Sequence, residues 1–422
     1  MPRLLLLLPT SSYRARDFLE AAARAGADVV VATEETSALA AVDPDGLWTL
    51  DFRDPGGAAR RVLELSAGGP PLDAVLGVDD DTAVAAAAIA QALGLRHVPL
   101  AAAVAARRKG QMRDLLAAAG VPVPAHRVFP RSADPAETAR AAAYPCVLKP
   151  TFLAASRGVI LARDAEEFRR AWDRIGRILD DPEVRARGGD AAGEILVEEF
   201  IRGPEVAVEG LVTAGALRVL AFFDKPDPLD GPFFEETLYV TPSRLSRGTQ
   251  NAVGDVVARA ARALGLSHGP VHAEARLGPR GPVLIEAAAR SIGGLCSRTL
   301  RFGTGLSLEE LIVRQALGLP ATASREAAAA GVMMIPIPRA GVLERVTGLD
   351  EARAVEGIVE ATITLRPGQR LVPLPEGWRY LGFLFSRAGT PEEAEQALRR
   401  AHAKLRIETR GDSDGSEPKG ES

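Results

Sequence analysis

The chain is 422 residues long, with 47% hydrophobic residues, 25% charged residues and a formal net charge of −4. That length and apolar content suit two to four domains with sizeable cores, and the slightly acidic balance leaves no basic footprint for nucleic acid. The apolar opening at 4–8 is closed by Pro9 and is too short for a signal-peptide core or a membrane span, so Cys146 and Cys296 read as reduced core thiols of a cytoplasmic protein.

From the N-terminus, apolar runs alternate with helical patterns: strand 4–8, helix 15–25, strand 28–32, helix 58–66, strand 74–78 and helix 82–93. This order predicts βαβ units and a parallel sheet. No G-x-G-x-x-G follows the first strand, so no dinucleotide site is expected. Asp79, Asp80 and Asp81 precede an Ala-rich helix, where capping and the macrodipole account for acidic residues.

A helix carrying Arg107, Arg108, Lys109 and Arg113 runs on to Gly120, which ends it, and Pro122 and Pro124 force an extended exit. An α+β section follows: a buried strand Val147-Leu148-Lys149-Pro150, a loop at 151–158, a strand at 159–161, an amphipathic helix at 164–179 and a polar connection at 180–193. Strand patterns dominate 195–239, a helix covers 248–264, and strands 270–277 and 283–287 are joined by a tight turn at 278–281. The section 331–408 mixes short strands with a helix at 391–405, and residues 409–422 lack core-forming capacity.

Only five of the 51 basic residues are lysines, so arginine serves wherever a surface needs only positive charge. The surviving lysines therefore draw attention, because a compact ammonium on a flexible stem meets a phosphate oxygen in a way a planar guanidinium does not. Lys404 and Lys419 lie near the polar C-terminus; Lys109, Lys149 and Lys225 do not. Lys149 closes an apolar strand, a costly place for a charge unless an anion meets it. Glu274 and Glu286 lie twelve residues apart on strands joined by a turn, so their carboxylates can converge. His268 and His272 suggest zinc by spacing, but Gly269-Pro270 prevents the helical face such a pair uses.

In this order the segments resemble the ATP-grasp superfamily, nearest its carboxylate–amine ligase branch, which includes L-amino-acid (dipeptide) ligases, and its biotin-carboxylase-like proteins. The resemblance covers residues 1–405. It implies mixed α/β and α+β architecture: a Rossmann-like preATP-grasp domain at 1–104, then a two-lobed ATP-grasp fold, with a small lobe carrying the phosphate lid at 105–194 and a large lobe carrying the metal site at 195–325. A C-terminal α+β cap at 326–408 and a disordered tail at 409–422 complete the expected organisation. Lys109 and Lys149 resemble the two ATP lysines, and Ser156, Arg157 and Gly158 lie in the segment matching the lid, which carries fewer glycines than in many relatives. Glu198, Glu199, Phe200 and Ile201 resemble the adenine strand, with only one of the two glutamates facing the nucleotide. Glu205 matches the ribose-binding glutamate.

Glu274 and Glu286 match the ligands of Mg²⁺ or Mn²⁺ held with ATP. The family's third ligand, usually Asn, is replaced by Ala288. Arg290 fits the arginine that steadies the transferred phosphate, and Lys225 is expected to meet a phosphate or substrate carboxylate. Tyr239 stands where relatives often place a histidine. The implied activity is ATP-dependent amide formation from a small carboxylate and an amine, amino acids among them, through an acyl phosphate with release of ADP and phosphate. Two alternatives are biotin-carboxylase-like carboxylation and an ATP-binding regulatory protein without turnover. No nucleic acid or membrane partner is expected, and a homodimer is the family-level expectation.

Overall fold

A computed structural model describes residues 1–36, 43–303 and 305–411; the expected tail from residue 412 onward lies outside them. Strand β1 (Arg3–Leu7) shows what its leucines are for. Alternate residues of a strand face opposite sides, and each side here meets its own core. Leu4, Leu6 and the following Leu8 pack with Phe18, Leu76 and Ile312, whereas Leu5 and Leu7 pack with Trp48, Val62 and Ile89. A strand covered on both faces needs no polar alternation. With β2 (Asp28–Thr33), β3 (Leu47–Thr49) and β4 (Ala74–Gly77) it forms a parallel sheet in the order β3-β2-β1-β4.

Past this sheet the chain breaks where one helix was expected. Leu100–Arg107 and Lys109–Ala118 are separate helices, because Arg108 between them has extended backbone. The break frees the Lys109 N–H from helical pairing, and it donates instead to the Thr151 carbonyl at 2.8 Å.

Strands β5 (His126–Pro130), β6 (Cys146–Pro150), β7 (Ile160–Ala162) and β8 (Glu194–Glu199) form an antiparallel sheet in the order β5-β8-β6-β7. Helix Ala165–Asp180 covers it with Phe168, Trp172, Ile175 and Leu179, a spacing that keeps one face apolar. The expected connection at 180–193 is itself structured. Asp181 caps a helix at Pro182–Gly188, with proline in its first turn, and a 3₁₀ turn follows at Gly189–Gly193.

The remaining strands are β9 (Glu205–Thr213), β10 (Ala216–Asp224), β11 (Leu238–Thr241), β12 (Gly269–Gly278), β13 (Gly281–Ala288), β14 (Ala329–Ile335), β15 (Gly341–Thr347), β16 (Ile358–Ile363), β17 (Arg370–Leu371), β18 (Gly382–Ala388) and β19 (Arg406–Arg410). Eight of them form one antiparallel sheet, β13-β12-β9-β10-β11-β14-β18-β16, and β17-β15-β19 form a small one. The large sheet runs across the expected boundary at residue 325, since β11 pairs with β14. Thr409 and Arg410, expected in the tail, belong to β19. No helix among the described residues is long and apolar enough to cross a membrane.

Candidate active site

The β12–β13 hairpin sets the centre of the site. Its register places Glu274 directly opposite Glu286, and cross-strand neighbours have Cβ atoms roughly 4.5–5.5 Å apart. Two cavities, of about 240 and 80 Å³, meet here: both are lined by Glu236, Glu274, Glu286 and residues 153–156. The smaller also takes Lys109, Lys149, Glu198, Glu199, Phe200, Ile201 and Glu205. Asp80, Arg157, Arg290 and Tyr239 line the larger. Residues drawn from all over the chain thus share one two-chambered cleft.

On the smaller side, Lys109 donates to the Leu153 carbonyl at 2.8 Å and lies 3.3 Å from Glu286 Oε1. Lys149 pairs with Glu198 Oε1, while Glu198 Oε2 accepts from Arg113, fully buried, at 3.1 Å. Burial draws the Lys149 ammonium below its usual pKa. Burial pushes Glu198 the other way, but Arg113 and Lys149 together hold it below the usual carboxylate range. Of the two neighbouring glutamates, Glu198 is buried and Glu199 is exposed. Glu198 thus holds two cations at the edge of the smaller chamber.

The rest of the adenine segment is also engaged. The Phe200 N–H donates to the Pro145 carbonyl at 3.3 Å, and the Ile201 carbonyl accepts from Arg276 at 2.9 Å. These two backbone groups are therefore used within the protein. The Phe200 ring lies 5.0 Å from the Arg276 guanidinium, a cation–π contact, and 6.1 Å from Phe234.

Lys225 corrects the expectation that it meets a phosphate or substrate carboxylate. Its ammonium donates to Glu205 at 2.7 Å, Glu236 at 2.5 Å and Glu274 at 2.8 Å. Three donors meet three glutamates, which uses the full capacity of the group. Burial opposes its charge, but the three carboxylates raise its pKa well above the ordinary value. Glu205 also accepts from Arg276 at 2.9 Å, so the expected ribose acceptor already holds two cations. Burial and the neighbouring Glu274 raise Glu236, whereas Lys225 and His272 outweigh burial and hold Glu274 well below its usual range. His272 lies 3.2 Å from Glu209 and 3.5 Å from Glu274; against burial, these carboxylates raise it to about 9. Tyr239 approaches Glu274 at 3.4 Å. His268 lines a different cavity with His97, so the two histidines of the tempting spacing do not converge.

The loop at 151–158 separates the chambers. Ala155 and Ser156 both have φ near +54°, and Gly158 has φ +75°. A Cβ on Gly158 would lie 2.8 Å from the Pro150 ring, so close packing as well as torsion requires glycine there. Its N–H, expected to wrap phosphate, donates instead to the Pro375 carbonyl at 2.9 Å. Arg157 reaches Asp181 at 3.4 Å.

Arg290 enters the larger chamber gripped by Asp80, whose Oδ2 accepts from Nη2 at 2.8 Å and Nε at 3.0 Å. Burial works against its charge, and Asp80 more than restores it. Capping accounts for only the first of the three successive aspartates: the Asp79 side chain accepts from the N–H groups of Asp81 and Thr82. Asp81 pairs with Arg107 at 2.8 Å and with Arg187. Burial beside Asp81 and Asp80 raises Asp79 to about 6. The roles of Asp80, Arg113, Arg276 and Glu209 carry no sequence signal, since each depends on a partner far along the chain. Cys146 and Cys296 are buried free thiols, as expected, and burial raises Cys146 to about 12.

Glu274 and Glu286 offer hard oxygen donors toward one space, which fits a divalent cation of the magnesium type. Lys109 and Lys149, both buried, fit a polyphosphate beside it.

Three family models match the chain in succession: an ATP-grasp N-terminal domain at 19–97, an ATP-grasp domain at 142–299 and an L-amino acid ligase C-terminal domain at 333–410. A crystal structure of an L-amino acid ligase from Bacillus licheniformis superposes with a TM-score of 0.78 at 26% identity, covering 97% of this chain and 99% of that one. Among curated proteins, one of uncharacterised function from Sinorhizobium fredii is 29% identical over 69% of this chain and 59% of its own length. The alanine–anticapsin ligase of Bacillus subtilis is 29% identical over 52% of this chain and 49% of its own. The chain thus spans about half the length of the curated relatives it matches. The fold, the order of these segments and the likeness over nearly the whole of a solved ligase together show that the chain belongs to the ATP-grasp superfamily, with a C-terminal section that matches a domain of L-amino acid ligases.

Proposed function

We propose that this protein is an ATP-dependent ligase that joins a small carboxylic acid to an amine, with amino acids the leading candidates for both. The observation that carries this reading is the two-chambered cleft meeting at Glu274 and Glu286. A phosphoryl transfer needs a donor on one side and an acceptor on the other, with charge managed between them. ATP would occupy the lysine-lined chamber, where Lys109 and Lys149 neutralise its phosphates and Phe200 walls the base. A divalent cation held by Glu274 and Glu286 would neutralise charge on the phosphate oxygens. Glu205 can still accept ribose hydroxyls, because each carboxylate oxygen offers more than one lone pair.

The acid would lie in the larger chamber. Its carboxylate oxygen attacks the terminal phosphorus and the bond to ADP breaks, giving an acyl phosphate. The amine then forms the C–N bond, the C–O bond to phosphate breaks, and the departing phosphate takes up the proton the amine loses. Arg290, aimed by Asp80, would stabilise the oxygens that gain charge in both steps. The 151–158 loop would exclude water from the acyl phosphate.

Incubating the protein with ATP, Mg²⁺ and pooled amino acids and small carboxylic acids should release phosphate and yield an amide detectable by mass spectrometry. Glu286→Gln should abolish that release across a magnesium titration. Phosphate release that needs bicarbonate but no amine would replace this reading with carboxylation, and nucleotide binding without any turnover would replace it with a binding protein.

A further inference from the structure

The lining of the larger cavity is of two chemical kinds. Beside the carboxylates and Arg290 described above stand Tyr13, Ile292, Cys296, Met334, Trp378 and Tyr380. These side chains are apolar or aromatic, and none is charged there, because burial raises the Cys296 thiol and the Tyr13 and Tyr380 hydroxyls above their ordinary pKa values. Tyr13 and Tyr380 both stand edge-on to the buried Phe383, at 5.8 and 5.9 Å between ring centroids, so a common neighbour fixes their rings. Cys296 Sγ lies 3.6 Å from Met334 Sδ, giving a soft, polarisable floor.

Trp378 and Tyr380 do not come from the sheet that carries the glutamates. They sit on the segment 372–380, and this segment is fastened to the loop at 151–158 and to the helix that covers the small sheet. The Pro375 carbonyl accepts from Gly158 at the end of the 151–158 loop at 2.9 Å. Glu376 accepts from Arg174 at 2.5 and 2.8 Å, and Arg174 in turn lies 4.9 Å over the Phe233 ring. Trp378 remains half-buried, covered by Arg379 at 4.7 Å. A large ring held at a cavity wall and left partly in water has surface to offer a ligand.

We propose that Trp378 and Tyr380 select the side chain of the carboxylate substrate, that this side chain is apolar, and that their segment acts as one unit with the loop over the nucleotide. The substrate class is then an α-amino or other small acid with an aliphatic, thioether or aromatic side chain. This inference rests on the ligase reading for where the acid lies. The tie between segment and loop makes recognition of the side chain felt at the ATP chamber, since neither can shift without disturbing the bonds at Gly158 and Arg174.

The test compares wild type, Trp378→Ala, Trp378→Phe and Glu376→Gln. Phosphate release is followed with glycine and with acidic, basic, aliphatic, thioether and aromatic amino acids in turn. In an apolar pocket, a change of one methylene in the fit between wall and ligand alters selectivity by about 10- to 200-fold. Wild type should favour the apolar group, and Trp378→Ala should raise KM for it about 10-fold or more with KM for ATP unchanged. Trp378→Phe should restore most of the loss. Glu376→Gln should raise KM for acid and ATP together.

A second readout needs no turnover: with a non-hydrolysable ATP analogue, apolar amino acids should change tryptophan emission in wild type and not in Trp378→Phe. An emission response without phosphate release under any mixture would keep the subsite and overturn the ligase reading. Unchanged amino-acid preference in Trp378→Ala, or the same emission change in wild type and Trp378→Phe, would overturn the subsite.

Discussion

Two buried lysines face the same cleft from different surroundings. Lys149, on β6, meets one carboxylate, which Arg113 shares; Lys225, just after β10, meets three, one of them shared with Arg276. Counting formal charges, the first group has two cations and one anion, a surplus of +1. The second has three cations, the His272 imidazolium beside Glu274 included, and three anions, so its charges balance. A low-dielectric site amplifies such imbalances. The first group's surplus therefore suits an anion such as a polyphosphate, whereas the second group has no surplus to offer one. Burial of a lysine does not define its task; the number of anions already holding it does.

The comparison can be broken most decisively at Lys225. Lys225→Met leaves Glu205, Glu236 and Glu274 packed together with one cation fewer, and breaking a buried ion pair costs about 3–5 kcal/mol. Urea unfolding should show a loss of that order. A midpoint equal to wild type would mean that the three glutamates do not need the ammonium.

Next in size is Arg290→Lys, which keeps charge and loses the fork that Asp80 grips. Turnover should fall about 10²- to 10³-fold, as when one preorganised oxyanion donor is removed, with ATP affinity within a few-fold of wild type. Steady-state kinetics beside a calorimetric nucleotide titration would separate these. A loss wholly in ATP affinity would move Arg290 from chemistry to binding.

Lys149→Met should be gentler on the fold, because Glu198 keeps Arg113. Its effect should appear in ATP affinity, where a hydrogen bond from a charged group contributes about 1.5–3 kcal/mol, or roughly 10- to 100-fold in Kd. If Lys149→Met instead unfolded as readily as Lys225→Met, the contrast between the two sites would collapse. The smallest effect belongs to Lys404→Ala, an exposed lysine at the far end of the chain, which should leave ATP affinity unchanged.

Much of the architecture was legible because its signals are local. The parallel N-terminal sheet followed from apolar runs spaced by helical patterns, and the β12–β13 hairpin from two strands around a glycine-bearing turn. The direct pairing of Glu274 with Glu286 goes beyond that signal: the turn's own register would set Glu274 opposite Ile285, and a bulge between Ala275 and Glu274 brings Glu286 there instead. Other features were not legible. Nothing in a run of two arginines before Lys109 announces that the helix breaks at Arg108, because the break is satisfied by Thr151 in another element. Likewise the glycine of the 151–158 loop looked available for a phosphate and is held by a carbonyl from residue 375.

Legible along the chain are thus the set of elements, their order, and the residue types whose burial must have a reason: a lysine closing an apolar strand, two glutamates on one hairpin. Periodicity and turn chemistry act within a few residues, so they survive in a one-dimensional reading. Which charges hold which is settled in three dimensions. Arg290 and Asp80 are 210 positions apart, and the three glutamates around Lys225 come from three separate segments. Such pairs depend on where distant segments come to lie, and the Coulomb energy that binds them is set by distance and burial, neither of which is written along the chain.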